Sequence, residues 1–247
     1  MFEARGALMP HPMRLAIETT LAWLFDTRCV ACRTRGPLAV CAACQARIET
    51  ASGPRCARCD HPLVRDGAAC PDCRRIGAPA FEATVAVGRY SGMLRDLVLA
   101  LKYRDGWRVA DLLASRMAER VRQRGFGVDL VVPVPVDASR KANRGYSQSV
   151  LLASRVAVRL GLPHRSDLLW RRVDGVVQST ADRETRHAQL AGVFEAAEEV
   201  RGRRVLLVDD VCTTASTLNA AAQALREHGA RVWGVVAARQ MLHGGRR

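Results

Sequence analysis

The segment that constrains this chain most is Arg204-Val205-Leu206-Leu207-Val208-Asp209-Asp210-Val211-Cys212-Thr213-Thr214-Ala215-Ser216-Thr217. It opens with a run of branched apolar residues, the pattern of a strand covered on both faces of a parallel sheet. Two adjacent carboxylates end the run, hydroxyl residues follow at 213, 214, 216 and 217, and Leu218 to His228 reads as a helix. In open α/β sheets a ligand site lies beyond the carboxyl ends of the strands, where this loop falls. Loop hydroxyls and the free N–H groups of a helix start suit a phosphate, aided by the helix dipole. The carboxylates suit ribose hydroxyls or a magnesium ion. The expectation is a site for a phosphorylated sugar.

Two other strand-and-acid arrangements fail. A Walker B strand requires a G-x-x-x-x-G-K-[ST] loop, and none occurs. The phospho-acceptor strand of a receiver domain requires a lysine on a later strand, yet Lys102 and Lys141, the two lysines, both precede it. The segment instead resembles the phosphoribosyl-pyrophosphate (PRPP) loop of type I phosphoribosyltransferases, apolar-apolar-Asp-Asp-x-x-Thr-Thr-Gly-x-Thr. It departs at Ala215, where that family usually has glycine. Glycine lets the backbone wrap closely around a 5′-phosphate and tolerates positive φ, so alanine implies a weakened or slightly reshaped cup. The resemblance implies PRPP contacts from Asp209, Asp210, Thr213, Thr214, Ala215, Ser216 and Thr217, with magnesium accompanying PRPP.

Eight of the nine cysteines form four C-x-x-C pairs: Cys29/Cys32, Cys41/Cys44, Cys56/Cys59 and Cys70/Cys73. Each pair presents two thiolates from one tight knuckle, and two knuckles complete a tetrahedral site. Turn-formers surround them and large apolar residues are few, so the region needs staples to fold. Disulfides and rubredoxin-like iron are alternatives, but no secretory signal supports an oxidising compartment. The reading is two closed, structural zinc ions. Spacing favours sequential pairing, with an interleaved arrangement left open. His61 reads as a bystander, and Cys212 as a small buried filler inside the phosphate loop.

The length of 247 residues allows one full domain and a small one, and 49% apolar content allows a proper core. No run of about 18 uncharged apolar residues occurs, so no membrane insertion is expected. Glu3 and Glu18 interrupt the N-terminal region, which argues against a secretory signal and for a cytoplasmic protein. Pro10 to Phe25 reads as an amphipathic helix. The expected domains are an N-terminal helix over 1–28, a double zinc ribbon over 29–80 and an α/β domain over 81–247.

The formal net charge is +14, with arginine the dominant cation. Residues 1–80 carry +4, which eight thiolates around two dications would cancel, whereas residues 81–247 carry +10. A basic surface on the second domain favours a polyanionic partner. The 12 aromatic residues are too few for an extended base-stacking platform, so backbone electrostatics is the expected mode.

Within 81–247, strand and helix patterns alternate: Phe81–Tyr90 strand, Met93–Lys102 helix, Val109–Arg124 helix, Val128–Asp137 strand, Val150–Leu160 helix, Asp167–Val173 strand. Arg203–Val208 and Arg231–Ala237 close the sheet. This order predicts an α/β domain with a mostly parallel sheet flanked by helices. The strand at Val128 is stopped by Pro133 and Pro135, and a cationic stretch with Arg140, Lys141 and Arg144 follows it.

The ordered set of four cysteine pairs, Leu101-Lys102-Tyr103, Pro133-Val134-Pro135, Arg144-Gly145-Tyr146-x-Gln148, Gln178 with Arg186, Phe194 and the PRPP loop resembles the ComF family, competence-protein relatives of type I phosphoribosyltransferases. Ser147 and Gln189 depart from that pattern, where Asn is usual, as does Ala215. The resemblance implies a pyrophosphate site at Pro135, Val136 and Asp137, with Arg140, Lys141 and Arg144 on a loop that closes over it. It also implies single-stranded DNA as partner in natural transformation, and association with DNA-uptake proteins. Two other readings stay open: a phosphoribosyltransferase of nucleotide metabolism with an unknown acceptor, and a zinc-ribbon adaptor for partner proteins. Whether the chain is an enzyme at all is left undecided.

Overall fold

The computed structural model describes residues 27–77, 79–103, 106–136, 146–172 and 192–240. The chain divides into two compact units after Arg47. In the first, the Cys29 N–H donates to Thr34 O (2.8 Å) and the Arg33 N–H to Cys29 O (2.9 Å), closing a knuckle in which Arg33 takes φ +64°. A short helix, α1 (Ala42–Ala46), carries the buried Cys44.

The second unit is built on a four-stranded parallel sheet in the order β1 (Ala83–Arg89), β6 (Arg231–Arg239), β5 (Arg204–Cys212), β2 (Leu130–Pro133). The last two strands in the chain therefore form its centre. Their apolar runs are buried from Val205 through Val208 and from Val235 through Ala238 because both faces are covered. Helices α3 (Gly92–Leu101), α4 (Gly106–Gln123) and α5 (Gln148–Leu160) pack against the sheet. Helix α6 (Ser216–Glu227) packs on β5 and β6. It shares a core with Val205, Leu207, Val232 and Val236, an even number of residues apart along each strand and so on one face. Gly234 permits the approach of α6: a Cβ there would lie 2.8 Å from Leu218 and 2.9 Å from Thr84.

Helix α5 begins at a Ser147 cap whose hydroxyl accepts from Val150 N–H, and it ends at left-handed Gly161. The strand expected over Asp167–Val173 is β3 (Leu169–Arg171), which leaves the parallel sheet and pairs antiparallel with β4 (Phe194–Ala196). Strand β5 also runs further than its apolar pattern, through both carboxylates to Cys212, because ladder pairing with β6 continues to Arg239.

The second cysteine region is continuous with this sheet. Helix α2 (Pro71–Ile76) carries one of its knuckles. Strand β1 would be an open edge, but Thr84 N–H donates to Arg58 O (2.7 Å) and Ala86 N–H to the Asp60 carboxylate (2.9 Å). Asp60 is 1% exposed and also bonds Arg55 at 2.9 Å. The knuckle thus satisfies a strand edge that would otherwise seek a partner. Among the described residues, no helix is long and apolar enough to cross a membrane.

Candidate functional site

Parallel pairing of β2 with β5 sets Pro133 opposite Val208, so the Pro135–Val136 turn leaves the sheet beside the acidic pair. Val134 N–H donates to Val208 O (2.9 Å), and Ser149 Oγ donates to Val134 O (2.6 Å), fixing that turn against the start of α5. Pro135 and Val136 are half-buried. Asp137, Arg140, Lys141 and Arg144 lie outside the described residues, as do Gln178, Arg186, Gln189 and most of the expected N-terminal helix.

Asp209 and Asp210 are half-buried near the carboxyl end of β5. Each accepts from the next backbone N–H: Asp210 N to Asp209 Oδ1 and Val211 N to Asp210 Oδ1, both 2.8 Å. Burial, and then the adjacent Asp210 carboxylate, push the Asp209 carboxyl well above the usual carboxylate range, with Lys102 opposing. Lys102 Nζ is 3.6 Å from Asp210 Oδ2. Sequence reasoning gave Lys102 no site role; its signal was being one of two lysines in an arginine-rich chain. Its position at the end of α3 is held by Tyr146, whose Oη lies 2.5 Å from both the Leu101 and Tyr103 carbonyl oxygens. Gly106 leaves room for that ring, since a Cβ would come within 1.9 Å of the hydroxyl.

The loop runs from buried Cys212 through exposed Thr213 and half-buried Thr214 to Ala215, Ser216 and exposed Thr217. Thr214 Oγ1 and Ser216 Oγ are 2.7 Å apart. Ala215 has φ +61° and ψ 5°, and its carbonyl accepts from Asn219 N–H (2.8 Å) in the first turn of α6. Alanine therefore adopts the left-handed conformation that glycine would take with less strain. The sequence-expected loop residues follow one another in a single turn at a helix start, an arrangement suited to an anion.

The eight paired cysteines form two tetrads, Cys29/Cys32/Cys41/Cys44 and Cys56/Cys59/Cys70/Cys73, with sulfurs within 4.8 Å of one another. The pairing is sequential. A tetrahedron with metal–sulfur distances of about 2.3 Å has edges of about 3.8 Å. The separations are 3.6 Å for Cys32–Cys41, 3.7 Å for Cys56–Cys73 and 3.4 Å for Cys59–Cys70. The residues fit zinc chemically as well as geometrically. Hydrogen bonds from Thr34 lower the Cys32 thiol to about 6, whereas burial pushes Cys44 and Cys73 up to about 12. Four ionised thiols at this spacing need a dication, and four thiolates leave no open position for catalysis. His61 stands outside the tetrad, with Nδ1 3.0 Å from Asp72 Oδ2. Cys212 is 5% exposed and burial raises its thiol, in keeping with a filler.

Metal analysis of protein purified under reducing conditions should give close to two zinc per chain; one zinc, or iron as the main metal, would overturn the two-tetrad assignment. Ala215→Gly should raise the unfolding free energy by about 0.5–1 kcal/mol, since relief of left-handed strain outweighs the added unfolded-chain entropy. Urea denaturation at matched zinc content reads this directly; an unchanged midpoint would mean that the strain only equals the entropy cost, and a lowered one that the strain is absent.

Known proteins share both halves of this arrangement. A model described as a phosphoribosyl transferase domain matches residues 146–241, and one described as a double zinc ribbon domain matches residues 20–74. Competence protein F of Haemophilus influenzae is 31% identical over 229 residues, covering 87% of this chain and 98% of that protein. DNA utilization protein YhgH of Salmonella typhimurium is 31% identical over 202 residues, covering 78% and 88%. A glutamine PRPP amidotransferase structure from B. subtilis aligns with a TM-score of 0.39 and 21% identity, over 56% of this chain and 30% of that one. With the two tetrads preceding a parallel α/β sheet that ends in an acidic pair and hydroxyl loop, the chain belongs to the ComF family of competence proteins, which join a double zinc ribbon to a type I phosphoribosyltransferase-like domain.

Proposed function

We propose that this protein binds PRPP with magnesium at its phosphate loop and single-stranded DNA on its basic domain, acting in the cytoplasm on DNA taken up in natural transformation. One observation carries the nucleotide part of this reading: the half-buried Asp209/Asp210 pair, faced by Lys102, leads directly into the hydroxyl-lined turn that starts α6. Thr213, Thr214, Ser216, Thr217 and the loop backbone would hold the 5′-phosphate. The carboxylates would accept from ribose hydroxyls or face magnesium, which offsets the negative charge of the diphosphate. A raised Asp209 carboxyl fits this role, because a carboxylate that is costly to ionise alone is stabilised by an arriving cation. The Pro135–Val136 turn and the cations Arg140, Lys141 and Arg144 would bind the pyrophosphate end. Relatives named for competence and for DNA utilization support the DNA part, as does the +10 carried by residues 81–247.

Replacing Asp209 and Asp210 together by Ala should abolish magnesium-dependent PRPP binding in calorimetry while leaving the zinc content unchanged. Undiminished binding would falsify the loop assignment. Since protonated Asp209 cannot serve the cation, wild-type affinity should fall as pH drops through its raised pKa, and Asp209→Asn should remove most of that dependence.

Single-stranded DNA binding should be sequence-tolerant and salt-sensitive. Substituting Arg140, Lys141 and Arg144 by Ala should weaken it and flatten the slope of log K against log salt by up to about 2 units, roughly 0.7 for each phosphate no longer neutralised. A variant with the wild-type affinity and slope would move the DNA surface elsewhere.

A further inference from the structure

Arg239, the last residue of β6, is 2% exposed, and sequence reasoning assigned it nothing. Its guanidinium reaches three places at once. Nη1 donates to the Cys59 carbonyl (2.7 Å) and lies 3.4 Å from the Cys212 sulfur, while Nη2 pairs with Asp72 Oδ2 at 2.5 Å. Cys59 belongs to the second tetrad, and Asp72 sits between two further members, Cys70 and Cys73. Cys212 is the residue from which the phosphate loop departs. Cys212 and Arg239 are ladder partners, and the next residue, Gln240, donates its N–H to the Cys212 carbonyl at 2.9 Å. One planar side chain therefore joins the second cysteine knuckles to the base of the loop. A lysine could not do the same, because the bridge requires a rigid fork with donors aimed at separate acceptors.

We propose that Arg239 is a positioning residue for the phosphate loop, through which metal loading of the second tetrad and PRPP binding favour one another. This rests on the reading that PRPP occupies the Thr213–Thr217 turn. With a dication in place, four thiolates fix the Cys59 carbonyl and Asp72, and Arg239 holds Cys212 against them. Without it nothing ties the four sulfurs to one another, both anchors of the guanidinium loosen, and the loop must be ordered by the ligand itself. The coupling is reciprocal by thermodynamic necessity: whatever zinc does for PRPP affinity, PRPP does for zinc affinity. A salt bridge that served stability alone would link nothing.

The test uses the full zinc-loaded chain equilibrated with a zinc-selective chelator, with and without saturating PRPP and magnesium. A Cys32→Ser variant identifies which zinc belongs to the first tetrad. PRPP should raise the apparent zinc affinity of the second tetrad by at least about 5-fold, within the usual range of coupling between sites, and leave the first tetrad unchanged. Arg239→Lys and Asp72→Asn should bring that ratio towards one. Should either variant fold poorly, the wild-type measurement still decides. Equal zinc retention with and without PRPP, in protein that calorimetry shows to bind PRPP, overturns the proposal. If calorimetry shows no PRPP binding, the functional reading fails, and hydrogen exchange of the Cys212–Thr217 amides decides the coupling. Faster exchange after the second zinc leaves supports it, and unchanged exchange overturns it.

Discussion

The parallel ladder between β5 and β6 is the interaction on which the rest of this fold depends. Both strands are nine residues long and lie at the centre of the sheet, so each has neighbours on both sides. Their register sets Asp209 opposite Val236 and Cys212 opposite Arg239. One shift along this ladder would carry the carboxylates and the loop origin away from the buried guanidinium. Residues placed on two central strands inherit their rigidity, and that suits a strand end whose acidic pair is held against its own electrostatic repulsion.

The electrostatics of the two halves share a logic. At the tetrads, sulfurs crowd within 4.8 Å and are tolerable as thiolates only around a dication. At the strand end, burial and the neighbouring Asp210 disfavour a charged Asp209, and Lys102 opposes them. In both places the protein gathers groups of like charge: the tetrads suit an added dication, whereas the acidic pair already has Lys102 beside it. The tetrads close around theirs, whereas Thr213 and Thr217 remain exposed beside the acidic pair.

Local chemistry was legible in the sequence, and long-range placement was not. Four C-x-x-C knuckles announce metal ligation because both ligands of a knuckle lie within one turn, yet two pairings of the knuckles satisfied the same spacing. The hydroxyl loop after Asp210 was readable for the same reason. The end of β5 was misplaced because two carboxylates stopped the apolar run, while ladder bonds to β6 carry the strand on to Cys212. Lys102 meets Asp210 across more than a hundred residues of chain, and no periodicity reports such a meeting. Arg239 was invisible for a different reason. In a chain whose cations are nearly all arginine, nothing in composition marks a buried one.

The cover over the β1 edge has a consequence for the life of the chain in the cell. Thr84 and Ala86 are satisfied by Arg58 and Asp60, both within the turn that the second tetrad organises. A molecule synthesised during zinc scarcity would carry its parallel sheet with one flank bare, and a bare flank templates pairing with other chains. Metal supply would then govern how much of the protein stays dispersed and how much goes to self-association, before any ligand is met.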